Sequence, residues 1–415
     1  MIDFRTVSAK EHLIDHVLPW WVSHGFDDAP GVLTGFDNNG ELTTSDRFTW
    51  SQGRWAWLCG ELADDAEADR LPLSSAEWRA RCRSTVDFLV RFAVRDDGRT
   101  VFRTTKSGIP VPDADGALTT SVFADLFVVL GIAGGLRVTP DAPPEWLDIA
   151  ERILVTAERS IADRTALSEP YPVPAGFRDL AGPMNLLHAS AELLRSAPSA
   201  VAAGVRDRAL VTLKSDFLGA DSWVEFRAGA SIPKGTLLAR HRTPGHLLEL
   251  LWMLVLAEEA AGLSPDLLRY ESFALRALDL AWDREYGGLL RYVDVGGGRP
   301  TGLSLGNEPT RYEVLVTETW DTKLWWVHAD TMVATRLLAT LTGSQALADW
   351  NTRVRDYTLT TFPSPAGEWL QVRDRRGAPI NKVVALPVKD PFHIIRALIF
   401  LARLEASVPM EGVLS

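Results

Sequence analysis

At 415 residues the chain is longer than one small domain needs, and its 46% hydrophobic and 23% charged content is globular, which excludes a disordered or disulfide-built protein. Forty-three Lys and Arg against 54 Asp and Glu leave a net charge of −11, which argues against DNA or RNA as main partner. Two cysteines, Cys59 and Cys82, suggest a reducing compartment and cannot build a cysteine metal cluster. The opening Met1-Ile-Asp-Phe-Arg-Thr has no basic-then-apolar pattern, and no run of about 18 apolar residues occurs. A soluble cytoplasmic protein without a membrane partner is therefore expected.

In chain order, a helix is predicted over residues 10–23. Amphipathic helices follow at 76–92, 144–161, 202–218, 265–282 and 344–357, with apolar residues at three- and four-residue spacing. Start signals precede several of them: Ser74-Ser75-Ala76-Glu77, Asp141-Ala-Pro-Pro-Glu and Ser264-Pro-Asp. Interleaved segments at 50–62, 120–134, 184–196, 245–261, 323–342 and 391–406 are apolar nearly all round, as buried helices are. About twelve helices in outer–inner alternation describe an all-α (α/α)6 barrel. A helical solenoid would have shorter and more self-similar repeats. The stretch 368–374 reads as a strand in a short hairpin over one mouth. No linker interrupts the pattern, so residues 1–415 are expected to form one domain.

Fifteen Trp against six Tyr is an unusual balance. Core packing explains most of the rings, but Trp50, Trp55 and Trp57 cluster, as do Trp320, Trp325 and Trp326. Clusters beside polar residues also suit the flat apolar faces of sugars.

Polar residues on the apolar helices carry the chemistry. Four of the eight histidines, His188, His246, His328 and His393, lie on inner helices, with Gln52 and Arg54 on the first. A lone buried histidine is usually structural; four on helices that converge on one axis point to a shared site. His246 and Glu249 are three apart and share a helix face, so Glu249 can fix the imidazole tautomer and raise its basicity. The same pair also suits a divalent cation, or a plain buried ion pair. Lys389-Asp390-Pro391-Phe392-His393-Ile-Ile-Arg396 places a second histidine near the start of the last inner helix. Two neutral imidazoles with Arg54 nearby fit proton transfer at a carbon next to a carbonyl. No phosphate loop, dinucleotide fingerprint, nucleophile elbow or zinc-protease helix is found, and Gly296-Gly297-Gly298 reads as a turn.

Trp50-Ser-Gln52-Gly53-Arg54, Pro244-Gly245-His246-x-x-Glu249-x-x-Trp252, Lys323-Leu-Trp325-Trp326-Val-His328-Ala-Asp330 and Glu368-Trp369 through Lys389-x-x-Phe392-His393-x-x-Arg396 resemble, in order and spacing, the hallmarks of the N-acylglucosamine 2-epimerase family. The resemblance spans about residues 47–400. It implies interconversion of sugars at C1 and C2 without metal or other cofactor. His246 and His393 match the family's acid–base pair, Arg54 the arginine that stabilises the enediolate oxygen, and Glu249 the support of His246. His188 matches the histidine of ring opening. Gln52, Trp50, Trp325, Trp326, His328, Asn185 and Lys389 are the expected substrate contacts. Met184 stands where Asn is usual, with Asn185 displaced by one, and His328 and Asp330 also depart from the usual residues. The expected partner is a small sugar, and a homodimer is the expected assembly. A glycoside hydrolase on the same barrel, with a carboxylate pair, and a non-catalytic sugar-binding or interaction protein are the alternatives.

Overall fold

A helix that is apolar on every side needs neighbours on every side, and the computed structural model supplies them by closing a ring. It describes residues 2–113, 116–220, 222–381 and 389–406. Six inner helices, Thr49–Glu67, Val122–Val138, Ala181–Ser196, Pro244–Ala260, Trp325–Thr342 and Phe392–Glu405, each pack on the next, and the last packs back on the first. Outer helices Ser75–Phe88, Glu145–Ala162, Ala200–Thr212, Leu267–Ala281 and Gln345–Thr361 lean on the inner ones, and the N-terminal helical segment packs against Phe392–Glu405. This is the expected (α/α)6 barrel, with no closed sheet among the described residues.

The closest helix contact comes from four glycines. A Cβ on Gly53 would stand 2.1 Å from the Phe127 carbonyl oxygen, and one on Gly131 would stand 2.8 Å from that of Gly53. One turn further along, a Cβ on Gly134 would meet Trp57 Cα at 2.8 Å, and one on Gly60 the Gly134 carbonyl oxygen at 3.0 Å. Two backbones thus touch where side chains would hold them apart.

Several boundaries differ from expectation. The first helix is Ala9–His12 and Leu18–His24 joined through a π-turn at Leu13–Val17. Ser74 caps as expected, accepting the Glu77 N–H, but Asp266 rather than Ser264 caps Leu267–Ala281, and Pro144 occupies its cap position without a side-chain bond. The strand expected at 368–374 shrinks to Val372–Arg373, paired antiparallel with Lys323–Leu324, so the inner helix begins at Trp325 rather than 323. An unforeseen helix, Arg311–Thr319, opens on a capping box between Thr310 and Glu313. With Phe177, Phe226, Leu237 and Tyr292 it forms a second small core.

Two-residue to three-residue strands immediately precede four of the inner helices: Arg47–Phe48, Phe177–Asp179, His241–Arg242 and Lys323–Leu324. Their antiparallel pairs brace one mouth of the ring, at the N-terminal ends of those helices. The opposite end is closed by charge. Arg137, Arg195 and Arg403, in the last turns of three inner helices, converge on Glu61, while Arg403 also binds Asp65. Cations at helix C-termini also complement the helix dipole. Cys59 and Cys82 are free and buried. No helix among the described residues is long and apolar enough to cross a membrane.

Candidate active site

Inside the braced mouth lies a cavity of about 550 Å³. All six inner helices line it with residues of their first two to three turns, among them Trp50 and Arg54, Phe127, His188, His246 and Glu249, Trp325 and Trp326, and His393. Helix N-termini carry partial positive charge, so the ring directs six dipoles at a spot suited to a developing oxyanion.

His246 and His393 share this cavity and border one indole. Trp326 lies 5.2 Å from the His246 ring and 5.7 Å from the His393 ring, centroid to centroid. Gly245 permits this, because a Cβ there would stand 2.9 Å from Trp326 Cζ3.

Each imidazole is held at Nδ1 by a different carboxylate. His246 bonds Glu225 Oε1 at 2.7 Å and His393 bonds Asp330 Oδ2 at 2.6 Å, which leaves Nε2 on both rings for the cavity. The environments pull the two apart. Burial disfavours charge on His246, yet the Glu225 carboxylate outweighs it and the pKa lies above the usual imidazole value. Burial, reinforced by the Arg396 guanidinium, holds His393 well below that value. A pair of titratable groups split in this way can serve as acid and base at one pH.

Glu249 does not bond His246 as expected, although its charge adds to Glu225's in raising the His246 pKa. Glu249 Oε1 accepts instead from Arg396 at 2.6 Å and stands 3.8 Å from His393 Nδ1. Arg396 also donates to Asp330 Oδ1 at 2.5 Å. Glu249 therefore belongs to the buried Arg396–Asp330–His393 network. The i,i+3 spacing gave a shared face, but Glu225, reaching in from another loop, took the imidazole. Glu249, Asp330 and His393 each offer one ligand atom within 4.8 Å of the others, a spacing a cation would accept. Arg396 already supplies the positive charge between the two carboxylates.

Arg54 is bonded to Asp390 and held among three aromatic faces, with its guanidinium carbon 4.0 Å from the Phe127 centroid, 4.8 Å from Phe392 and 5.0 Å from Trp50. His188 lies among Trp57 and Trp252, and burial pushes its pKa down to about 3, so it is neutral. Asn185 and Lys389 also line the cavity, Asn185 donating to the Ala181 carbonyl and Lys389 to that of Trp369.

Two expected substrate contacts are structural. Gln52 is fully buried and outside the cavity lining; its amide bonds both backbone groups of Val32, at 2.8 Å each. His328 is fully buried behind the wall. Its Nδ1 meets the Leu324 carbonyl, its Nε2 accepts the Leu289 N–H, and burial holds it at about 3. Asp330, the other departure from the usual residues, likewise stays in the buried network. The tryptophan clusters divide too: Trp55 packs on Trp78, Trp57 backs His188, and Trp320 joins the second small core.

Glu225, Asp330 and Arg396 carry much of the geometry. Arg396 and Asp330 stood inside noted motifs, three and two residues from His393 and His328, but helical spacing cannot reveal a bond between two different helices. Glu225 had no motif at all.

Comparison with known proteins agrees with this architecture. The family model for N-acylglucosamine 2-epimerase (GlcNAc 2-epimerase) matches residues 221–397. N-acylglucosamine 2-epimerase of Bos taurus is 26% identical over 411 residues, covering 93% of this chain and 87% of its own. Cellobiose 2-epimerase from Spirochaeta thermophila DSM 6192 superposes with a TM-score of 0.75 at 17% identity, over 96% of both chains. A D-mannose isomerase does so with a TM-score of 0.72 at 14% identity, over 98% of this chain and 100% of its own. At such identities the two solved structures speak to the fold.

Proposed function

We propose that the chain, similar to N-acylglucosamine 2-epimerases over 93% of its length, is a member of their family, and that His246 and His393 exchange the proton at C2 of an open-chain sugar. The carrying observation is the pair of imidazoles on one cavity, each fixed at Nδ1 by its own carboxylate and split in pKa. In this reading neutral His393 removes the C2 proton and the electrons move onto the carbonyl oxygen. Arg54 stabilises that oxyanion, so the positive charge needs no cofactor. Protonated His246 returns a proton to the other face of C2, giving the 2-epimer. Delivery to C1 instead, with the O2 proton passing to O1, gives the ketose. Neutral His188 assists ring opening, and Trp50, Trp325 and Trp326 offer faces to the sugar. Residues 1–415 act as one catalytic unit in this proposal.

The test is turnover in deuterated water with mannose, N-acetylmannosamine and cellobiose, followed by NMR. Solvent deuterium at C2 or C1 is expected, and His246→Asn and His393→Asn should each lower kcat by about 10²–10⁴-fold. Near-normal turnover by both variants, or bond cleavage without deuterium uptake, would sink the proposal.

A further inference from the structure

Among the cations that line the cavity, Arg291 differs from the other two arginines. Arg54 is paired with Asp390, and Arg396 with Glu249 and Asp330. Arg291 is 7% exposed and forms no ion pair among the described residues; its side-chain partners are neutral, Thr319 Oγ1 at 3.1 Å from Nη1 and the Tyr292 phenol. Glu169, which lines the same cavity, is engaged by Arg311. A guanidinium is seldom so buried without a counter-charge, because removing it from water is costly.

Its position gives that charge a use. A second cavity of about 470 Å³ adjoins the first and shares Pro170, Tyr171, Arg291, Leu315 and Val372 with it. Arg291 therefore stands at the junction, with its guanidinium carbon 4.9 Å from the Tyr292 ring centroid. Its backbone is pinned, since its N–H donates to the Thr322 carbonyl and that of Tyr292 to Trp320. Tyr171 and Tyr312 bring phenols to the cavity, and burial holds Tyr312 protonated as a donor.

Resting on the proposed proton transfer, we infer that Arg291 is the anchor of an anionic group on the substrate: a carboxylate, phosphate or sulfonate on a carbon remote from C1 and C2. A planar guanidinium binds such groups through two parallel N–H bonds, and a neutral hydroxyl would leave its charge unmatched. The preferred sugars are then acidic ones, and Arg291 sets that preference.

The experiment measures solvent deuterium uptake into D-mannuronate, D-mannose 6-phosphate and D-mannose, with wild type, Arg291→Gln and Arg291→Lys. At least one acidic sugar should exceed mannose in kcat/KM by about tenfold or more. Arg291→Gln should bring that ratio to about one, while Arg291→Lys, which keeps the charge, should retain part of it. The two acidic sugars separate a carboxylate from a phosphate preference. A thermal shift on adding mannuronate, present in wild type and lost in Arg291→Gln, reports binding apart from turnover. If mannose exchanges as well as the acidic sugars and Arg291→Gln leaves the ratio unmoved, this inference fails and the proton-transfer reading stands. If no sugar exchanges, the proton-transfer reading itself falls.

Discussion

Glu225 shows most directly how a single residue sets the chemistry. Its carboxylate, 1% exposed, is what raises the His246 pKa against the opposing effect of burial. If His246 acts as the protonated partner, kcat/KM falls at alkaline pH as it loses its proton. Glu225→Gln removes the charge that favours the imidazolium, so the folded pKa drops and the alkaline limb should move to lower pH. A shift of about one unit or more is expected in the pH–rate profile. An unmoved limb would assign the ionisation to another group. Arg54, His188, His246, Glu249 and His393 were legible as polar breaks in apolar helices, and all line the cavity. Gln52 and His328 look the same in sequence yet bond only backbone. Which side of its helix a polar residue faces is fixed by neighbours far away in the chain.

Pairs of elements show where glycine is needed. The backbone contact of Thr49–Glu67 with Val122–Val138 leaves no room at Gly53, where the obstruction is a carbonyl rather than a flexible side chain. Gly53→Ala should therefore cost about 3 kcal/mol, read by urea unfolding, at the upper end for overpacking. A loss below about 0.5 kcal/mol would mean that the helices separate freely. Gly245 is different, since an added Cβ would meet Val327 Cγ2 at 2.8 Å and the edge of Trp326. Gly245→Ala should shift the indole that both imidazoles border and reduce kcat more than stability. Equal losses in both would argue against it. Periodicity located the twelve helices because burial on one or all sides leaves a pattern within each segment. Their ends were less legible: the strand Lys323–Leu324 and the π-turn Leu13–Val17 depend on what lies across from them.

Across the molecule, the two ends of the ring carry opposite tasks. One mouth holds the cavity among helix N-termini, and the other is tied by Glu61 to three arginines. Glu61→Gln leaves those guanidiniums short of a buried counter-charge and should cost about 3–5 kcal/mol. A loss within 1 kcal/mol would mean that Asp65, beside Arg403, and Glu192, which pairs with Arg137 and Arg195, compensate. Acid should also unfold the protein early. His12, His188 and His328 are held near pKa 3 by burial, whereas unfolded imidazoles take up protons near pH 6.5. As pH falls below 6.5 the unfolded chain binds the extra protons, so stability drops by about 2 kcal/mol per histidine by pH 5. Tm should be lower at pH 5 than at pH 7; a flat Tm would refute this. The amino-acid sequence by itself determined the helices, their inner–outer order and the likeness to N-acylglucosamine 2-epimerases, because apolar periodicity and local motifs are written along the chain. Only the tertiary structure decided that Glu225 rather than Glu249 holds His246, that Gln52 and His328 are structural, and that Arg291 stands unpaired between two cavities. Those outcomes depend on bonds and burial between segments tens to hundreds of residues apart, which no local pattern encodes.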